Sequence, residues 1–369
     1  MPSETGAIRP ATGAPGSRRG GAPGSRRRAP WGLSLSGGIH GRQGLWGWLF
    51  VSPAVVGLVA FLVIPVLLAL YVSFTNWDGF TNPLSGAVQW VGGANYHDLL
   101  AKPGLDRLNF MTAVRNNFYF VLFVVPSQTA LALGLAVLVN NRLLKAKGFF
   151  RTAFYFPSVT SSIAITLVFI FLFQGQGAVN RLLSLVGIRG PNWLVDTDGV
   201  FHNVLGLLGV HDAPRWANHQ VAGLSVWEWL SGPSVGMCVV IALVVWTTSG
   251  TFMLMFLAAL QNIPEEVEEA SHIDGAGPWK RLFYVTVPML RPTLSLVVTL
   301  GLIGTWQVFD QITLVGKNNP TTITPAYYSY EISFQNQAFG VGAAVAFLLF
   351  LLIIVLNALQ RRILREEVT

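Results

Sequence analysis

Charge is scarce in this chain of 369 residues: Asp, Glu, Lys and Arg together make up 11 % of it, against about 25 % in ordinary globular chains. Hydrophobic residues reach 52 % and the mean hydropathy is +0.52, so too little polar side chain remains to clothe a water-soluble surface of this size. Cysteine is scarcer still. The single Cys238 excludes a disulfide framework and a four-cysteine metal site, and a lone buried cysteine is ordinarily packing. No Gly-x-x-x-x-Gly-Lys-Ser/Thr, His-Glu-x-x-His or Gly-x-Ser-x-Gly pattern occurs. The chain therefore lacks the phosphate cradle, the zinc-protease pair and the nucleophile elbow that those patterns build. His202, His211 and His219 are too irregularly spaced for a metal set.

The net charge of +7 is concentrated at one end: Arg9, Arg18, Arg19, Arg26, Arg27, Arg28 and Arg42 lie in the first 42 positions. An octapeptide is duplicated there, GAPGSRRG over 13–20 and GAPGSRRR over 21–28. Gly, Pro, Ser and Arg in this proportion bury too little apolar surface to offset the entropy of ordering. Residues 1–45 read as a disordered basic tail, solvated and reinforcing topology, with attraction to anionic lipid or RNA as the alternative. Membrane lipid is the expected partner of the chain and nucleic acid is not.

A membrane-spanning helix needs about 20 mostly apolar residues. Six stretches qualify: 47–74, 118–139, 154–173, 236–260, 293–315 and 341–358. Runs this long and unalternating leave helix as the state that satisfies their backbone in lipid. The expected fold is an all-α polytopic membrane protein with six transmembrane helices. Basic residues set its orientation. Segments 140–153, 261–292 and 361–369 hold ten Lys or Arg in 55 residues, whereas 75–117, 174–235 and 316–340 hold seven in 130. Both termini are thus expected on the cytoplasmic side. The enlarged external loop 174–235 mixes turn signals with apolar patches, and its pattern does not decide between interfacial and packed helices.

The most specific pattern lies in the cytoplasmic loop 261–290. Pro264 suits a first helical position, Glu265, Glu266, Glu268 and Glu269 sit near the positive end of the helix, and Gly275 and Gly277 supply a stop. Ile263, Val267 and Ala270 fall at i, i+4 and i+7, an apolar stripe beside an acidic face. The small residues Ala270, Ser271, Gly275 and Ala276 allow another protein's backbone to come close. The whole reads as a docking element.

Here the sequence resembles the permeases of bacterial ABC importers. Their cytoplasmic loop runs Glu-Ala-Ala, three residues, Gly, nine residues, Ile, one residue, Leu-Pro; in this chain Glu269-Ala270-Ser271, Gly275, Val285 and Val287-Pro288 keep every spacing. The likeness extends from about Trp48 to Leu364 and is greatest with the binding-protein-dependent carbohydrate branch, the maltose and glycerol-3-phosphate type. Trp90-Val91-Gly92 to Tyr96, Gly148-Phe149-Phe150-Arg151, Leu257 to Pro264 and Phe309-Asp310 carry it. The chain departs at 315–320, where Val-Gly-Lys-Asn-Asn-Pro replaces Thr-Gly-Gly-Gly-Pro, in the longer segment 196–234, and in the Arg-rich arm.

The resemblance implies a bacterial cytoplasmic-membrane protein whose loop forms a coupling helix in a cleft of an ATPase subunit. Glu269, Ala270, Ser271, Asp274, Gly275 and Ala276 would make that contact. It implies three kinds of partner: a second homologous permease, two ATPase subunits that bind ATP and Mg, and an extracytoplasmic sugar-binding lipoprotein or periplasmic binding protein. This chain itself holds no cofactor or metal and is not an enzyme. Position matching places Ser158, Ser162, Thr247, Thr248, Thr251, Thr305 and Val308 along the sugar path. A sugar site combines short polar side chains with aromatics in an apolar cavity, and Trp306, Gln307 and Asp310 in the fifth span join these candidates. Hydroxyls in spanning helices also bond their own carbonyls or join helices, and that reading stands beside the first. The expected function is the transmembrane subunit of an ATP-driven sugar importer. A permease for glycerol-3-phosphate or a polyol is the alternative within the class, and an ion-coupled secondary carrier centred on the intramembrane carboxylate Asp310 is the alternative outside it.

Overall fold

The computed structural model describes residues 39–141, 144–210, 212–316 and 319–363. Tail residues 1–38 with the duplicated octapeptide, and Arg142, His211, Lys317, Asn318 and Arg365, lie outside the described residues. The first helix, Ile39–Leu58, starts inside the segment expected as tail. A spanning helix can continue into the aqueous phase by a solvated turn, so hydropathy alone places its end late.

Six helical stretches are long and apolar enough to cross a membrane: Trp46–Val72, Leu105–Asn140, Ser162–Leu185, Val235–Leu260, Arg291–Val315 and Phe339–Ile363. Met1–Leu62 and Val63–Thr369 form separate compact units. In the first, Trp48, Phe50 and Phe61 are strongly exposed. In the second, the second and fourth spans pack through a cluster of Ala132, Ala136, Val139, Phe252, Met253, Phe256 and Leu257. Small residues one turn apart let helix axes approach where lipid offers no hydrophobic drive.

The third span differs from the hydropathy reading. In place of one helix over 154–173 the chain forms Lys147–Val159 and Ser162–Phe173, with Thr160 and Ser161 extended at ψ 146° and 126°. Pro157 removes one rung of the helix, Val159 and Thr160 are β-branched, and Thr160 turns its hydroxyl back to the Phe156 carbonyl at 3.0 Å. Gly250 of the fourth span fits against this bend: a methyl group there would collide with the Phe154 carbonyl and lie 3.0 Å from Ser158 Oγ.

The fifth span is also broken. Arg291–Trp306 ends, Gln307 to Phe309 are not helical, and Asp310–Val315 resumes. Freed backbone groups at membrane depth need partners. Asn117 Nδ2 donates to the Trp306 carbonyl at 3.1 Å and Thr324 Oγ1 to the Val308 carbonyl at 3.1 Å.

The segment 174–235 holds short packed elements: helices Ala178–Leu185, Val200–Leu207 and Val226–Trp229, and a two-residue-strand hairpin, Gln220–Val221 with Leu224–Ser225. It is tied down from afar. Asn319 Nδ2 donates to the Leu194 and Asp196 carbonyls at 3.2 and 3.1 Å, and Tyr119 Oη to the Trp229 carbonyl at 2.5 Å.

Candidate functional site: a polar-walled pair of cavities and an exposed loop helix

The two helix breaks meet. Gln311 Nε2, just past the break in the fifth span, donates to Ser162 Oγ, just past the break in the third, at 3.0 Å. Two cavities of about 280 Å³ each border this contact, Gln311 lining both and Ser162 one of them. Thr248, Phe252 and Gln311 line both, so the two adjoin. Ser158, Ser162, Thr247, Thr248 and Thr251 wall one of them, and Thr248, Thr305, Gln307, Val308 and Asp310 wall the other. Nine of the ten residues singled out for the substrate path therefore come together. Trp306 does not: it is buried among Val121, Val125, Leu349 and Ile353 on another side of its helix.

Most of the hydroxyl protons are already committed. Ser158 Oγ donates to the Tyr155 carbonyl at 2.6 Å, Thr247 Oγ1 to Leu243 at 3.0 Å, Thr248 Oγ1 to Val244 at 2.7 Å and Thr305 Oγ1 to Gly301 at 2.7 Å. The two readings of these residues are thus compatible. A hydroxyl that gives its proton to a carbonyl still offers lone pairs, so these side chains present acceptors to a ligand, and amides must supply donors. Asp310 is exposed at the start of the resumed helix.

Gln128 was missed in the sequence. It is wholly buried in the second span, its Oε1 accepts from Thr248 Oγ1 at 2.6 Å in competition with the Val244 carbonyl, and its Nε2 is buried without a partner. A methyl group at Gly301 would occupy the place of that nitrogen, so the absence of a Cβ there makes room for the amide. A buried donor left unpaired costs about 1–3 kcal/mol, and here it borders a cavity. The available signal was its identity: it is the only amide in the apolar run 118–139, and intramembrane polar groups point to function. Phe120, Phe252 and Phe309 supply aromatic wall and were also passed over.

The loop after the fourth span forms a helix, Glu265–Ile273, with Glu265, Glu266 and Glu268 in its first turn. Pro264 is its N-cap, one position before the expected one. Its end is a Schellman motif: Gly275 is left-handed at φ 69°, the Gly275 N–H donates to the His272 carbonyl at 3.1 Å, and the Ala276 N–H to Ser271 at 3.0 Å. Glu269, Ala270, Asp274 and Gly275 are exposed and Ala276 half-buried, whereas Ser271 is buried and donates to the Glu268 carbonyl at 2.6 Å. Of the expected stripe, Ile263 and Val267 are half-buried, Ile263 against the cluster of the second and fourth spans. The exposed apolar side chains are instead Ile273, Trp279, Phe283 and Tyr284. Arg281 Nη1 contacts His272 Nε2, joining this helix to the next.

Among the described residues, no group of three or more His, Cys, Asp or Glu is placed to hold a metal ion.

Comparison with known proteins agrees with this architecture. The permease LacF of the lactose transport system of Rhizobium radiobacter is 31 % identical over 328 residues, covering 87 % of this chain and 94 % of that protein. AraP of the arabinooligosaccharide transport system of Bacillus subtilis is 27 % identical over 322 residues, covering 86 % and 87 %. MsmF of the multiple sugar-binding transport system of Streptococcus mutans is 28 % identical over 325, covering 87 % and 96 %. Among solved structures, a bacterial ABC transporter involved in import of the acidic polysaccharide alginate superposes with a TM-score of 0.65 at 18 % identity, covering 89 % of this chain and 98 % of the other, a likeness of fold. Residues 128–366 match the family described as the binding-protein-dependent transport system inner membrane component, and the chain belongs to that family.

Proposed function

We propose that this chain is the transmembrane subunit of an ATP-driven sugar importer and forms, with a second related permease, the path that accepts sugar from an extracytoplasmic binding protein. The observation that carries this reading is the meeting of two broken spans at adjoining cavities walled by hydroxyls, amides and phenyl rings. That is the wall chemistry a ligand with both hydroxyls and apolar ring faces requires. No Lys or Arg lines either cavity among the described residues, which disfavours a phosphorylated polyol. The relatives named for lactose and arabinooligosaccharides support a neutral sugar.

ATP and Mg belong to two separate ATPase subunits in this reading, and the helix Glu265–Ile273 couples to them. Its exposed acidic edge and the exposed Ile273, Trp279 and Tyr284 offer a contact of mixed charge and apolar character, the composition of a partner-facing patch. The Schellman turn and the Arg281 contact make the helix a fixed block, so a push on it reaches the bases of the fourth and fifth spans. The inner breaks in the third and fifth spans then supply the bend that turns the cavities from one side to the other. The balance of basic residues supports cytoplasmic termini, and the family's description as an inner membrane component supports a bacterial cytoplasmic membrane. An ion-coupled carrier would use Asp310 and leave the loop helix without a task.

The test is purification of the tagged chain from its native membrane, followed by ATPase and uptake assays in proteoliposomes with the binding protein and lactose, maltotriose or arabinotriose. A second permease and an ATPase should co-purify, and one liganded binding protein should stimulate hydrolysis. Glu269→Ala and Gly275→Asp should leave insertion intact and uncouple hydrolysis from uptake. A chain that moves sugar on an ion gradient without ATP would overturn the reading.

A further inference from the structure

The enlarged segment 174–235, with Arg115 and Thr321, walls a third, open cavity of about 310 Å³ at the end of the second span away from the loop helix. Along the 1.5 Å rise per residue, the step from Gln128 to Arg115 puts it about 20 Å from the central cavities. Its wall is polar where the central ones are mixed. Arg115 Nη1 donates to the Glu228 carbonyl at 3.2 Å and Nη2 to Asn116 Oδ1 at 2.9 Å, while Nε is buried without a partner. The Glu228 carboxylate is committed to capping its own helix, accepting from the Ser225 N–H at 2.7 Å and Ser225 Oγ at 2.9 Å. Asp198 sits at the rim, exposed, and Thr197 beside it. Its carboxylate makes no hydrogen bond or ion pair among the described residues. His202 and Trp227 stack at 4.2 Å and 16°, making an aromatic wall fixed by the bond of His202 Nε2 with the Trp227 carbonyl at 3.1 Å.

These features select a ligand class. The cavity offers the Arg115 guanidinium, whose Nη1 and Nη2 each keep a second proton, an unpaired carboxylate acceptor on Asp198, a hydroxyl on Thr197 and a flat aromatic surface. Two carboxylates oppose one guanidinium, so an anion is repelled. A small ligand that both donates and accepts, carries an apolar face and bears no charge is a neutral pyranose or furanose ring. We propose that this outer cavity is a sugar-holding site on the permease itself, which takes one neutral ring of an oligosaccharide before the central cavities do. It rests on the sugar-importer reading and adds to it a second site and a charge preference.

The experiment uses the complete complex in nanodiscs without the binding protein and reads binding of radiolabelled maltotriose, lactose and trigalacturonate. In the same preparation, ATP-driven uptake by the unaltered complex tests the importer reading separately. Asp198→Asn and Thr197→Val, which change little in shape, should each weaken binding of the transported neutral sugar at least fivefold, and should do so again in a Thr248→Val background. Trigalacturonate should bind less tightly than maltotriose. Complex assembly, followed by size-exclusion chromatography, should be unchanged. Binding of neutral sugar unaffected by both variants in both backgrounds would overturn the proposal. So would weakened capture of the unliganded binding protein with sugar binding intact, because the cavity would then be a protein socket. Tighter binding of trigalacturonate would overturn it as well.

Discussion

The second and fourth spans are continuous helices locked together by Ala132, Ala136, Phe252 and Met253; the third and fifth, of similar hydropathy, are each interrupted. The difference lies in what each pair does with its polar atoms. The continuous pair keeps its backbone bonds inside the helix and buries one amide between them, whereas the broken pair exposes backbone that other segments must satisfy. A close-packed helix pair resists bending because its side chains interlock at crystal-like density, and an interrupted helix bends where its ladder is missing. One pair is built as a rigid frame, and the other is the part that bends in the reading proposed above.

Four changes would break or sharpen that contrast. The largest effect is expected from Gly250→Val: with Phe154 and Ser158 in contact at that position, the bend of the third span is forced off the frame, and uptake in proteoliposomes should fall more than tenfold with poorer recovery of the assembled complex. Pro157→Ala restores an amide donor and removes a ring clash worth about 3 kcal/mol in a helix interior; the thermal midpoint should rise while uptake falls several-fold. A fall in both would show that the proline stabilises the bend without easing movement. Gln128→Leu removes a buried donor that lacks a partner and also the bond that Oε1 accepts from Thr248; these oppose each other, so stability should change by under about 1 kcal/mol while the KM for sugar uptake rises several-fold. Loss of stability at constant KM would make Gln128 part of the frame alone. The smallest effect belongs to Glu331, outside the spans, whose carboxyl is held above its ordinary value of 4.5 by burial. A folded-state value above the unfolded one favours the folded chain in acid, and that contribution fades as pH rises from about 4.5 through the shifted value. The thermal midpoint should therefore fall slightly over this window, and Glu331→Gln should remove the slope.

The spans were legible in the sequence because apolar runs of this length have one solution in lipid. The stop of the loop helix was legible too, since Gly275 is needed where the backbone turns left-handed at φ 69°. The breaks were not. Pro157 hints at one of them, but the fifth span contains no proline at its interruption, which depends on Asn117 and Thr324 reaching in from distant segments. Thr247, Thr248 and Thr251 were suggested by position matching to the resembling family, and all three line a cavity here. Trp306 was misplaced by its neighbours: consecutive residues on a helix face different sides, and Thr305 and Gln307 do not carry the residue between them into the cavity. The short elements of 174–235 could not be read, because Asn319, Tyr119 and Arg115 hold them from outside the segment.

The second span runs unbroken for 36 residues, about 54 Å at 1.5 Å per residue, against about 30 Å of hydrocarbon. It stands out of the bilayer like a mast, with the tightly packed Ala132 and Ala136 toward its foot and, toward its other end, Phe110, Met111 and Ala113 packed with Leu99, Tyr328, Ala344 and Val345 near Arg115 and its cavity. Helices in membranes differ in tilt by tens of degrees, and on a lever of this length a change of about 10° would carry the far end sideways by about 9 Å. A movement too small to open a gap between helices at the foot would be, at the masthead, longer than a sugar ring is wide.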